Sequence, residues 1–143
     1  PTLDATETAY AAADVLFNPT LVDGLFLHKD DVCMVKSVVV IDADDQGAQF
    51  EMYFTTVSTA FGTLNDTADI ADNTGILGGV VIGAESAGDD FDNFMINQRD
   101  SIDLIIGANG LDTNVYVGAI SAGSPTYGTT GTPLTVKIGV QYI

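Results

Sequence analysis

One cysteine, one histidine, four cationic side chains and no tryptophan are found among 143 residues. Cys33 has no second thiol to pair with, so an internal disulfide framework is excluded. It falls in an apolar run and reads as a small buried thiol rather than a reactive one. His28, flanked by Lys29 and Asp30-Asp31, is the sole candidate for any histidine-dependent mechanism, and its neighbours are those of a surface loop. Zinc sites draw on several Cys or His ligands, and one of each, five residues apart, is poor material. Lys29, Lys36, Arg99 and Lys137 face 20 acids, for a formal charge of −16. Phosphate backbones are bound by neutralising them with Lys and Arg, so nucleic acid is excluded as a partner, and an anionic membrane surface is disfavoured for the same reason. No stretch approaches the ~18 apolar residues of a membrane span. The segment PTLDATETAY has neither the basic region nor the apolar run of a signal peptide, so the chain is expected to be soluble and to act where it is made.

What is present is acid of one kind and apolar residues in alternation. Seventeen of the 20 acids are Asp, which prefers turns and caps to helix interiors, so the charge belongs mostly to loops. Residues 48–55 alternate: Ala48, Phe50, Met52 and Phe54 fall on one face, and Gln49, Glu51, Tyr53 and Thr55 on the other. That period of two marks a strand with one face in a core and one in water. Residues 32–41 are apolar on both faces apart from Lys36 and Ser37, and rich in β-branched side chains, which predicts a strand near the middle of a sheet. Between the two, Asp42-Ala43-Asp44-Asp45-Gln46-Gly47 has turn chemistry, so the pair reads as an antiparallel hairpin around which the chain is organised.

The first 31 residues form the entering segment. An Ala-rich patch over 5–17 allows a short helix capped by Asp4 or Thr6 with Glu7 in its first turn. Residues 10–17 equally read as an entering strand or an extended arm, ended by Asn18-Pro19, since a residue before proline is pushed toward extended geometry, and the extended reading is the one favoured. Residues 58–74, with Asp66, Asp69 and Asp72 at spacing three, read as a long excursion. The run ILGGVVIGA is β-branched but holds Gly78, Gly79 and Gly83, which suggests a bulge or a close backbone approach. A short apolar return over 91–96 is followed by alternation over 101–106 with Ile102, Leu104 and Ile106 inward. Residues 114–121 make the next strand, and in the last one Leu134, Val136, Ile138, Val140 and Tyr142 line one face. Six or seven strands without a strong helix indicate an all-β, single-domain antiparallel β-sandwich or barrel, with residues 1–31 as an extended N-terminal arm and 32–143 as the sandwich.

Candidate chemistry is thin. The 42–47 segment echoes the start of a calcium loop, with Gly47 sixth, but the twelfth position is Tyr53 instead of a bidentate Glu. A hairpin turn explains it better, and Asp89, Asp90 and Asp92 in GDDFDN read as a solvated acidic loop. The segments around Ser86 and Ser121 approach the nucleophile elbow G-x-S-x-G but lack its first glycine and a following helix pattern. With 17 Asp, paired carboxylates occur at any spacing by chance. No catalytic residue, metal ligand or cofactor site is expected, and the chain reads as a non-enzyme.

The order of the pieces resembles small virion proteins of tailed bacteriophages. The resemblance lies in the start Tyr10-Ala-Ala-Ala-Asp14-Val15, the strand SVVVIDADDQG, the aromatic strand FEMYFTTV, the excursion GTLNDTADIAD, and the end NVYVGAIS, SAGSPTYGTTGTP and LTVKIGVQYI, where a Pro-Thr-Tyr loop precedes the last strand. The double glycine Gly78-Gly79 and the low cation count depart from that pattern. The resemblance implies a cement or decoration protein of the capsid, assembled in the host cytoplasm, with the major capsid protein as partner and a homo-oligomeric state. Tail or head–tail junction components are the neighbouring alternative. A calcium-dependent carbohydrate-binding module would also be an acidic sandwich, but such modules display Trp or Tyr on a flat face, and Trp is missing here. Aromatics outside the alternating core pattern, Tyr10, Phe17 and Tyr127, together with Pro125, are the expected contacts with the shell or with other copies, since interfaces favour such rings. Otherwise they close the ends of the sandwich.

Overall fold

The structure, a computed structural model, describes residues 1–4, 8–47, 49–70, 75–83, 89–91, 94–128 and 133–143. The suggested cap Thr6 with Glu7, the alternating Ala48, Asp72, the segment around Ser86, and Asp92 of the acidic loop lie outside the described residues. Among the described residues eight strands are formed: β1 (Val15–Leu21), β2 (Val32–Asp42), β3 (Phe50–Thr55), β4 (Ile76–Ile82), β5 (Asp89–Phe91), β6 (Phe94–Gly107), β7 (Tyr116–Ser121) and β8 (Leu134–Tyr142). There is no helix among the described residues. Sheet I has the order β1-β7-β3-β4 and sheet II the order β5-β6-β2-β8, every strand pairing being antiparallel. Among the described residues no strand pairs from one sheet to the other, so the architecture is a sandwich and not a closed barrel.

The organising pair is the largest departure from the sequence reading. β2 is central, as its two apolar faces require, but β6 and β8 occupy both its sides, so β3 has no edge there to join. The chain instead turns a corner and β3 pairs with β4 and β7 in the other sheet. The buried Asp42 carboxylate accepts the amides of Asp44 and Gln46, both at 3.1 Å, and Asp45 and Gly47 take left-handed backbone at φ 53° and 58°. Asp44 then accepts Gly128 N–H at 2.8 Å and the Gln46 side-chain oxygen accepts Thr126 N–H at 3.0 Å. Turn chemistry was read correctly, but it serves a corner between layers.

Between the layers, Cys33, Val35, Val38 and Val40 of β2 meet Phe50, Met52 and Phe54 of β3, all buried in one cluster with Ile82, Ile106, Val117, Ala119 and Leu134. Each such side chain contributes about 1.5–3 kcal/mol relative to exposure. Gly78 lets β4 close on β6: a Cβ there would stand 2.7 Å from Leu104 Cδ1, the close approach expected of a glycine within a strand. β6 runs unbroken where two segments had been read. It carries extra residues opposite Lys36 of β2, with Ser101 and Asp103 at φ 55° and 54°, and this interruption splits its alternation in two.

The N-terminal segment is built into the sandwich rather than reaching away from it. β1 pairs with β7, while Leu3 and Tyr10 join the core. The strand also runs through Asn18-Pro19 instead of ending before it. β1 is an edge strand, so a residue without an N–H is tolerated at its open side, and its register with β7 shifts around this point. The long excursion after β3 folds back over the outer face of sheet I. Asn18 holds it at both ends of its amide, accepting Phe61 N–H at 2.7 Å and donating to Gly62 O at 2.9 Å.

Candidate interaction surface

The four residues expected to touch a shell or another copy are all buried. Tyr10 and Phe17 are 1% exposed, Tyr127 is 0% exposed, and Pro125 is buried with them. Tyr10 N–H donates to Pro125 O at 2.9 Å, Asp4 N–H donates to the Tyr10 hydroxyl at 2.8 Å, and the Tyr10 and Tyr127 rings meet edge to face at 6.1 Å. Phe17 meets Phe50 in the same way at 6.2 Å. These side chains close the sandwich from within, the other of the two roles open to them, and offer no contact surface in this fold. Burial raises the Tyr10 phenol, and it raises Tyr127 much further, helped by the Asp42 carboxylate. Asp42 acts there mainly through its charge and, less, as a hydrogen-bond acceptor for the phenol.

The remaining chemically able groups are placed as follows. His28 is exposed in a turn where Asp31 accepts both the His28 and Leu27 amides, at 2.8 and 3.0 Å. Those bonds, the His28 amide first, lower the Asp31 carboxyl below its ordinary value. Cys33 is fully buried, and burial pushes its thiol up. Ser121 is buried, its hydroxyl donating to Gly123 O at 3.1 Å in a local turn. Among the described residues no three His, Cys, Asp or Glu side chains come together to hold a metal ion. A cleft of about 340 Å³ opens between the layers, lined mainly by Phe17, Leu21, Val22, Val117, Val136 and Ile138, with Asp23 its one ionisable side chain.

The two outer faces of the sandwich differ sharply. On sheet I, Phe61 at 3% exposure lies over Gly118 and edge-on to Tyr53, centroids 6.2 Å apart, so the excursion roofs that face. On sheet II, the described residues include no such roof. Register puts Met34, Val39 and Ile41 of β2 on the outer side beside Ile105 and Ile96 of β6, with Ile105 57% exposed and the others half-buried. Lys137 stands opposite Val39 on β8, and Lys36 pairs with Asp103 at the rim of the same face. Three of the chain's four cations, Lys36, Arg99 and Lys137, belong to strands of this sheet. The sequence signal for this face was present in the two-sided apolar pattern of β2, which reads as central burial until both flanks and both faces are known.

No protein-family model, curated protein or solved structure matches the chain.

Proposed function

We propose that the chain is a non-enzymatic virion structural protein of a tailed bacteriophage, a cement or decoration protein that attaches as a homo-oligomer, in many copies, to the lattice of the major capsid protein. The observation that carries this reading is the bare outer face of sheet II, where Val39, Ile41 and Ile96 make one apolar group and Met34 with Ile105 a second, with the Ser37–Asp100 pair between them and Lys36 and Lys137 beside them, on a chain of charge −16. Exposed apolar groups rimmed by polar residues mark association surfaces. The roofed opposite face suits a side turned to solvent. A charge of −16 keeps free copies apart before assembly and steers them toward basic patches on a shell. The resemblance in the order of sequence segments supports the same setting, the virion assembled in the host cytoplasm, with neither nucleic acid nor membrane as partner.

Mass spectrometry of purified particles tests this reading. The chain is expected at a fixed multiple of the shell protein, and its absence from particles would end the proposal. Val39→Asp puts a charge in the middle of the bare face without touching the core. The variant is expected to fold and to be missing from particles.

A further inference from the structure

The two sheets end in four lateral edges, β1, β4, β5 and β8. Three are unsuited to receiving another strand. β1 carries Pro19 and two shifts of register with β7. β4 contains Gly78-Gly79 and a shift where it meets Thr55. β5 is three residues long and begins with two aspartates. Short strands, prolines, irregularities and charges of this kind are how sheet edges are kept from pairing. β8 is neither short nor broken by proline, and the one shift in its pairing places the extra residue, Lys36, in β2 and leaves β8 itself regular; it runs nine residues, Lys137 is its single charge, and among the described residues its backbone pairs with β2 alone.

β8 is also incompletely covered from below. Its inward residues Val136, Ile138 and Val140 stay half-buried, although their β2 partners Val40, Val38 and Val35 are fully enclosed. The cleft of about 340 Å³ explains the difference, for it lies where β1 and β7 continue beneath the last strand of sheet II, between Phe17, Leu21 and Val117 below and Val136 and Ile138 above. A strand added beside β8 would set its inward side chains over this cleft.

Charge selects what that strand is. After Asp112 the chain holds no acid at all: residues 113–143, 31 in number, carry only Lys137. Two copies of charge −16 repel over most of their surfaces, but β8 is an edge where they can meet without opposing carboxylates. We propose that β8 pairs antiparallel with β8 of a second copy across a two-fold axis at Ile138, joining two sheets II into one continuous sheet. Ile138 is the middle of Leu134–Tyr142, so this register uses the whole strand. It sets Lys137 opposite the partner's Gly139, Thr135 opposite the partner's Gln141 and Val136 opposite the partner's Val140, whereas an axis one residue earlier would set Lys137 against itself. Such a self-complementary contact closes as a dimer, with main-chain hydrogen bonds along the edge and apolar side chains over the cleft.

The inference rests on the homo-oligomer part of the reading above and not on the shell. Sedimentation equilibrium of the full chain over a wide concentration range tests it, with a mass twice 14.9 kDa expected at the upper end. Thr135 and Gln141 are exposed, so Thr135→Asp with Gln141→Asp leaves the core alone while setting two pairs of carboxylates face to face across the axis. Dimerisation should weaken by about tenfold or more with an unchanged unfolding midpoint. Thr135→Lys with Gln141→Asp sets opposite charges there and should restore the dimer. A wild-type monomer at every concentration, a dimer indifferent to the paired aspartates, or no recovery in the charge-swapped variant would each overturn the proposal. Particles lacking the chain would sink the decoration reading and leave this one standing, while a strict monomer would sink this one together with the homo-oligomer part of that reading and leave attachment to the shell standing.

Discussion

Phe61 fills the space that a side chain on Gly118 would need: a Cβ at 118 would lie 2.5 Å from Phe61 Cε2. The missing side chain in β7 and the ring from the excursion are therefore one packing unit, and through it a segment without regular structure is held on sheet I.

Gly118→Ala is expected to destabilise the fold by about 1–3 kcal/mol, the usual cost of forcing extra volume into a packed site. Urea unfolding measures it. In a Phe61→Ala background the same change should cost almost nothing, because the colliding ring is gone, and that non-additivity separates the contact from a general dislike of alanine in β7. Equal costs in both backgrounds would show that the ring is not what Gly118 accommodates.

Tyr53 donates its hydroxyl to the Glu51 carboxylate, and that bond, with burial, pushes the phenol up to about 12 from an ordinary 10.0. A folded value raised above the unfolded one stabilises the protein in full below pH 10, and this contribution is lost as pH rises through about 12. Titration of tyrosine absorbance at 295 nm should therefore show phenols that resist ionisation until well above the ordinary value, Tyr10 and Tyr127 among them. Glu51→Gln should bring Tyr53 back toward 10 and leave the other two where they are. If the late-titrating amplitude is the same with Gln at 51, the carboxylate is not the cause.

The two buried tyrosines make a contrasting pair. The Tyr10 hydroxyl accepts Asp4 N–H at 2.8 Å, whereas that of Tyr127 makes no hydrogen bond of good geometry among the described residues and has only the weaker contact with the Asp42 carboxylate. Tyr10→Phe is expected to cost about 0.5–1.5 kcal/mol, the net worth of an ordinary hydrogen bond. Tyr127→Phe should cost less than that, or nothing, since it removes a buried polar atom whose desolvation a poorly aligned contact with Asp42 offsets only in part. Chemical denaturation of the two single variants decides the matter, and a Tyr127→Phe protein less stable than Tyr10→Phe would contradict this assignment.

Strand positions were legible in the sequence wherever one face is wet. Residues 134–142 alternate because their outer neighbours are solvent or polar side chains, residues 50–55 keep polar Glu51 and Tyr53 outward although the excursion roofs that face and buries Thr55, and both strands appear where alternation put them. Pairing was not legible. Nothing local in 32–57 states that β2 is flanked on both sides, and the turn over 42–47 suits a hairpin and a corner equally, so the choice was made by strands far along the chain. β6 was read as two pieces because Ser101 and Asp103 interrupt its period, and β1 was cut short because an edge strand forgives a proline that a central one would not. Tyr10, Phe17 and Tyr127 fall outside any two-residue repeat, so the sequence leaves them open between contact with a partner and closure of the sandwich ends. The ends of a sandwich are filled from loops and irregular strands, and such residues have no period to betray them.

β7 lies between β1 and β3, and β8 borders β2, so the last thirty or so residues complete both layers. On a ribosome, neither layer can finish until the C-terminal strands emerge, and the earlier strands must wait with their apolar faces uncovered. Pairings this distant in sequence form slowly and leave partly made sheets exposed to aggregation. Every acid in the chain precedes residue 113, so the part that waits is also the part whose own repulsion keeps neighbouring nascent chains from sticking together.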